Sequence, residues 1–251
     1  MKIKNIIFFI LFIQLTMNAS RVALCVMATG RYNIFAEQMI ESARKYFCSE
    51  HNVHYFVFTD GALTPAADVT KIFQKRLGWP YDTLMRFSVY LQHKDLFELF
   101  DYIYAIDADM LFVSPVGSEI FSDLVGTQHP GYINRRGTYE ETNKKSTAYV
   151  HQTEGKHYFA GGFYGGSREN FFKILQTVAN NIEFDLKNNF IAVWHDESHL
   201  NRYFIDNPPT LILSPAYCSP ENINPDYYDP SIIRLKKKII ALDKNHSKLR
   251  A

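Results

Sequence analysis

Three apolar runs constrain this 251-residue chain more than any other feature. Residues 22–27 (VALCVM), 54–59 (HYFVFT) and 102–106 (YIYAI) lack the in-out alternation of a half-exposed strand. Near-continuous runs of this kind belong to strands covered on both faces, as in parallel sheets. Helical periods lie between them. Phe35, Met39, Ile40, Ala43 and Phe47 recur at helical spacing, which predicts a helix capped by Asn33 and running to about Phe47. Residues 83–100 read as a second helix leading into the third run. The alternation predicts an α/β fold with a Rossmann-like, nucleotide-binding first half. The second half is less regular. A strand is expected over residues 158–164, then a helix capped by Ser167, a short helix over 194–203, and a strand over 211–213 closed by Ser214-Pro215. No repeat or domain boundary interrupts residues 21–251, so one domain is expected there.

A net charge of +1 removes bulk attraction to nucleic acid as a function. The cysteines, Cys25, Cys48 and Cys218, form neither a disulfide framework nor a CxxC zinc pair. The amino terminus is unusual. Lys2 and Lys4 precede a hydrophobic stretch over residues 6–13, so residues 1–20 read as a signal peptide or short anchor. The stretch falls short of the ~20 apolar residues of a full span. The tail from Lys236 to Arg250 is basic.

In parallel sheets ligands sit at the carboxyl ends of strands. Asp107-Ala108-Asp109 follows the third apolar run at such an end. Alternate residues of an extended segment share a side. Asp107 and Asp109 can therefore face one divalent ion while Ala108 turns inward. Hard carboxylate oxygens suit Mg²⁺ or Mn²⁺, which bridge to substrate phosphates. On the tripeptide alone, a strand closing in a polar turn is the plainer reading. His195-Asp196-Glu197-Ser198-His199 has three readings. His195 and His199 have the i, i+4 spacing of a zinc pair, but Glu197 lies about 200° around the helix from His195. An acidic first helical turn is favoured by the helix dipole alone. Two carboxylates aimed into a cleft are what glycosyl transfer needs, one for a sugar hydroxyl and one for an oxocarbenium-like transition state. Gly161-Gly162 and Gly165-Gly166 mark close approach of a ligand or tight packing of two elements. Lys244 and Arg250 can neutralise a diphosphate or remain solvated.

Taken together, the motifs resemble glycosyltransferase family 6, the group of the blood-group A and B transferases and the α1,3-galactosyltransferase. The resemblance runs from about Val22 to Arg250. It is carried by residues 53–60 (VHYFVFTD), Asp107-Ala108-Asp109-Met110, His129-Pro130-Gly131, residues 160–167 (AGGFYGGS), residues 192–201 (AVWHDESHLN), Leu213-Ser214-Pro215 and Lys244-Asn245-His246. The resemblance implies a GT-A fold with an irregular acceptor-binding half and a C-terminal closing tail. It implies retaining transfer of GalNAc or Gal from a UDP-sugar to a β-galactoside in α1,3 linkage; a non-catalytic carbohydrate-binding protein is the alternative. Met27, Ala28, Thr29 and Tyr32 match positions bordering uridine, and Arg86 the arginine on the nucleotide side. Asp107 and Asp109 match the ligands of Mn²⁺ (or Mg²⁺). Glu197 matches the catalytic glutamate, and Asp196 the carboxylate holding donor-sugar hydroxyls. His129, Thr138 and Trp194 match acceptor contacts, and Lys244 and Arg250 the closing cations. Gly161 and Gly162 lie in the donor-specificity segment, where a glycine at 162 leaves room for an N-acetyl group. Residues 218–222 depart from the family's acceptor segment. Expected localisation follows from UDP-sugar supply: membrane-associated with a cytosolic catalytic domain in a bacterium, or the Golgi membrane in a eukaryote.

Overall fold

The computed structural model describes residues 19–224 and 228–243. Residues 1–18 of the leader expected over residues 1–20, and the tail cations Lys244 and Arg250, lie outside them. Among the described residues, no helix is long and apolar enough to cross a membrane.

The first apolar run forms β1 (Arg21–Met27), followed by α1 (Asn33–Tyr46) and β2 (Asn52–Thr59). An edge strand, β3 (Val69–Phe73), precedes the short helices α2 (Tyr81–Leu84) and α3 (Arg86–Gln92). The third run forms β4 (Tyr102–Asp107). Then come β5 (Met110–Phe112), β6 (Leu124–Gln128) and β7 (Phe159–Ser167). Two longer helices, α4 (Arg168–Lys187) and α5 (His195–Asp206), precede β8 (Leu211–Leu213), β9 (Ser219–Pro220) and β10 (Ile239–Ala241).

Seven strands form one sheet in the order β3-β2-β1-β4-β7-β6-β8, and β5, β10 and β9 form a second, small sheet. The four strands from β3 to β4 are mutually parallel. β7 runs antiparallel to both β4 and β6. The apolar runs are buried on both faces, as their lack of alternation requires. In β1, Val22, Leu24 and Val26 pack into the core on the α1 side. Ala23 and Cys25 face the opposite core, built with residues of α3, α4 and α5.

The antiparallel insertion of β7 decides which residues meet at one edge of the sheet. Ile106 of β4 pairs with Phe163. The amino-terminal end of β7, with Gly161 and Gly162, therefore lies at the same edge of the sheet as the carboxyl ends of β1 and β4.

Four local expectations are corrected. The helix expected over residues 83–100 is divided into α2, α3 and a 3-10 turn at Lys94–Phe97. Met85 sits at φ −88°, ψ 2°, outside helical geometry, and the offset leaves Arg86 buried rather than on a solvent face. Asn33 is the first residue of α1 rather than its cap, and no side chain caps that end. Ser167 holds the N-cap position of α4 as expected, but its side chain makes no capping bond: its hydroxyl donates to the Asp123 carbonyl and accepts from the Asn170 amide. Finally, Asp107 ends a strand and Ala108-Asp109 is a turn, so the two carboxylates are not same-side positions of one extended segment.

Candidate active site

A buried arginine organises the edge where β1, β4 and β7 meet. Arg86 opens α3 and is only 6% exposed. Its Nη1 donates to Asp107 Oδ1 at 2.7 Å and to the Gly161 carbonyl at 3.3 Å. Its Nε lies 2.9 Å from Asp196 Oδ2. One rigid guanidinium therefore joins the end of β4, the start of β7 and the first turn of α5. A lysine has one point charge and could not hold this fork. Burial works against the Arg86 charge, yet Asp196 and Asp107 hold its pKa well above the ordinary value. At the other end of the pair, burial pushes the Asp196 carboxyl up to about 7 while Arg86 pulls it back. Arginine titrates far above the working range, so Asp196 is the member of the pair that can change charge.

Glu197 lies one residue further along α5. Its Oε2 accepts the Gly161 backbone N–H at 2.8 Å, and its Oε1 accepts the Tyr158 hydroxyl at 2.8 Å. Desolvation raises its pKa, and these two hydrogen bonds act against the rise. Both atoms of the carboxylate are thus aimed, although the residue keeps some exposure to the cleft. The helix start is conformationally unusual as well. His195 adopts φ 52°, a left-handed conformation rare for a side chain of its size. Its ring meets the exposed Trp79 edge-on at 4.7 Å.

The two aspartates of the tripeptide sit differently. Ala108 is buried, as expected, and Asp109 is only 2% exposed. Asp107 keeps a side-chain exposure of 32%. With Oδ1 given to Arg86, Asp107 Oδ2 borders the space in front of Gly162, 3.4 Å from where a Cβ would stand there. Met110 Sδ and Cys218 Sγ border the same space, at 2.9 and 3.5 Å. A hard divalent ion takes carboxylate oxygens in preference to these soft sulfurs. Among the described residues no group of three or more His, Cys, Asp or Glu could hold a metal. Asp107 gives Oδ1 to Arg86 and turns Oδ2 toward this space, and hard oxygens of this kind suit a Mg²⁺-like ion that completes its shell with phosphate and water.

The residues expected to border uridine lie at and just beyond the end of β1. Met27 pairs in register with Asp107, and the Ala28 N–H donates to the Phe58 carbonyl. The hydroxyl of the buried Thr29 donates to Asp82 Oδ1 at 3.2 Å, and the Tyr32 N–H donates to the Thr29 carbonyl. Of the residues expected to contact an acceptor, His129 accepts the Gly131 N–H at Nδ1, which makes Nε2 the protonated nitrogen of the neutral ring. Burial, with Arg135 nearby, depresses this imidazole to about 4. His129 packs 4.9 Å from the Tyr132 ring, and the Tyr132 hydroxyl lies 2.8 Å from that of the exposed Thr138. Trp194 is 47% exposed beside Glu197.

The zinc-pair reading fails geometrically. His199 is buried, with Nδ1 3.4 Å from the Thr147 hydroxyl and Nε2 3.8 Å from Asp185, whereas His195 faces Trp79. Two residues that the motifs did not single out belong to the site. Tyr158 holds Glu197. Asn201, one turn beyond Glu197, donates to the Glu197 and Phe159 carbonyls and accepts the Phe159 N–H. A tyrosine directly before the glycine-rich strand, and an asparagine at i+4 from the glutamate, were the available signals.

The fold and this edge define an α/β protein whose cleft gathers carboxylates around a buried arginine at the ends of parallel strands. The profile of Glycosyltransferase family 6 matches residues 9–251, and the chain belongs to that family. It is similar to Globoside alpha-1,3-N-acetylgalactosaminyltransferase 1 of Homo sapiens, 34% identical over 208 residues, covering 78% of this chain and 60% of that protein. It is 33% identical over 253 residues to Histo-blood group ABO system transferase 1 of Rattus norvegicus, covering 94% of this chain and 70% of the relative. O-antigen biosynthesis glycosyltransferase WbnI of Escherichia coli is 33% identical over 217 residues, covering 84% of this chain and 92% of that one. The chain thus spans less than two thirds of the human relative.

Proposed function

We propose that this chain is a retaining hexosyltransferase that moves GalNAc, or alternatively Gal, from a UDP-sugar onto a β-galactoside in α1,3 linkage. The observation that carries the reading is the Glu197 carboxylate, held at both oxygens beside an arginine that bridges Asp107 and Asp196. The human relative's name, an alpha-1,3-N-acetylgalactosaminyltransferase, supports the α1,3 linkage and the GalNAc donor.

In this reaction the bond from the sugar C1 to the UDP oxygen breaks, and a bond from C1 to the acceptor O3 forms on the same face. The acceptor hydroxyl proton leaves with the departing diphosphate. Glu197 supplies the negative charge that meets the cationic sugar as the bond to UDP lengthens. Asp196, locked by Arg86, accepts hydrogen bonds from the donor-sugar hydroxyls. Met27, Ala28, Thr29 and Tyr32 border the uridine. His129, Thr138 and Trp194 contact the acceptor, with His129 neutral and offering its Nε2–H. Asp107 and Asp109 would hold Mn²⁺ (or Mg²⁺), which supplies Lewis-acid stabilisation of the leaving diphosphate when bound. Lys244 and Arg250 would add positive charge to the same group. Residues 1–20 would hold the domain at a membrane, with the catalytic part in the cytosol of a bacterium or at the Golgi membrane of a eukaryote.

The test is incubation with UDP-GalNAc or UDP-Gal, Mn²⁺ and a panel of β-galactosides that includes a fucosylated one, with and without EDTA. Transfer from one donor in preference to the other, abolished by EDTA, is the expected result. Absence of both transfer and UDP release with every β-galactoside overturns the reading.

A further inference from the structure

We propose that Tyr158 is a positioning residue for the reaction, whose hydroxyl aims the Glu197 carboxylate and holds it ionised. The inference rests on the catalytic role of Glu197 proposed above.

Tyr158 is 1% exposed, and its hydroxyl donates to Glu197 Oε1 at 2.8 Å. The fold does not need that bond to keep the two residues together. Asn201 already ties the Glu197 carbonyl to both backbone groups of Phe159, the neighbour of Tyr158. The Tyr158 carbonyl is held separately, by the His129 N–H at 2.9 Å. The ring is packed independently of its hydroxyl. Tyr132, Tyr139 and His129 surround it with centroids 4.8, 5.1 and 5.8 Å away. Gly137 lies so close that a Cβ there would stand 2.0 Å from the ring, so the ring's place depends on that missing side chain. What the hydroxyl adds is therefore local to the carboxylate.

The addition matters because of what else faces Glu197. Arg86 is attractive, Asp107 and the adjacent Asp196 are repulsive, and burial disfavours the charged form. The Gly161 N–H and the Tyr158 hydroxyl are the two direct hydrogen bonds that oppose these effects. Burial and the neighbouring Glu197 push the Tyr158 hydroxyl far above its ordinary value, so it remains a proton donor throughout the working range. A glutamate that must meet a cation has to be charged and pointed at it. Tyr158 serves both conditions at Oε1, as the Gly161 N–H does at Oε2. Because its ring packs against His129 and Tyr132, it also places the acceptor wall in contact with the group that aims the catalytic carboxylate.

The test is Tyr158→Phe, which keeps the ring and deletes one oxygen. In steady-state assays across pH, kcat should fall about 10- to 100-fold, the size of a lost hydrogen bond to a charged group. KM for donor and acceptor should stay within about threefold, and the acid limb of kcat should move up by at least about half a pH unit. Thermal unfolding checks that the variant folds. If kcat stays within twofold with an unmoved acid limb, or if the loss appears in acceptor KM instead, the inference is overturned. A wild-type protein that transfers no sugar would sink the function proposed above, and the role of Tyr158 would then be read without turnover. The ¹³C-carboxyl resonance of Glu197, assigned through Glu197→Gln, should titrate at higher pH in Tyr158→Phe than in wild type. An unchanged midpoint overturns the inference by that route.

Discussion

Replacing Gly162 with alanine should change which donor the protein accepts. The new Cβ would stand 2.9 Å from Met110 Sδ, 3.4 Å from Asp107 Oδ2 and 3.5 Å from Cys218 Sγ. The last two are ordinary contacts, but the first requires Met110 to withdraw by about half an ångström. Met110 is 1% exposed and begins β5, next to Asp109, so its room to move is small. The methyl occupies the space bounded by those three atoms, where the N-acetyl group of GalNAc is proposed to lie. One methyl in a tight pocket is worth about 1–3 kcal/mol, or about 10- to 200-fold. The assay is direct competition between UDP-GalNAc and UDP-Gal for one acceptor, read as the ratio of kcat/KM. The ratio should fall toward galactose by that factor. Gly161→Ala is the control, because its Cβ would meet Glu197 atoms at 3.5 Å or more and needs no rearrangement. It should leave the donor ratio unchanged. A Gly162→Ala protein that is folded and active, with a ratio within twofold of wild type, refutes the reasoning.

Other consequences can be measured on the same protein. Asp107→Asn and Asp109→Asn should each lower Mn²⁺-supported transfer by at least about 100-fold, and EDTA should abolish wild-type turnover until Mn²⁺ is restored; activity indifferent to chelation would remove the metal from the mechanism. Arg86→Lys should cost about 10- to 100-fold in kcat/KM, since a lysine cannot bridge Asp107 and Asp196 together; wild-type kinetics in that variant would show that the fork is dispensable. Acid should destabilise the fold through His129, whose pKa of about 4 lies below the unfolded value of 6.5. The unfolded chain binds the proton more readily, so this contribution is present above about pH 6.5 and lost as pH falls toward about 4. Chemical denaturation across that window should show the decline, and His129→Gln should flatten it; an equally steep decline in the variant would assign the acid sensitivity elsewhere.

How much of this was legible in the sequence depends on the range of the interaction concerned. β1, β2 and β4 could be read from their apolar runs because burial on both faces leaves its mark on consecutive residues. α1 could be read because its buried face repeats at helical spacing. The strands β3, β5, β6, β9 and β10 carry no comparable local mark, each being five residues or fewer and defined by its pairing in a sheet rather than by a long apolar run. The helix expected over residues 83–100 failed for a related reason. Local pattern favours continuity there, but Arg86 is drawn inward by Asp107 and Asp196, 21 and 110 positions away. The tripeptide reading placed Asp107 at a strand end, where β4 does stop, but its geometry was wrong, since a turn after β4, not strand alternation, presents Asp109. Glu197 could be picked out by its motif, but its two hydrogen-bond donors could not. Tyr158 and Gly161 reach it only because β7 runs antiparallel to β4 and returns its first residues to the edge that carries Glu197. A motif can name the charged group in a site. The groups that tune that charge are set by topology, and in this chain the decisive one is the reversed direction of a single strand.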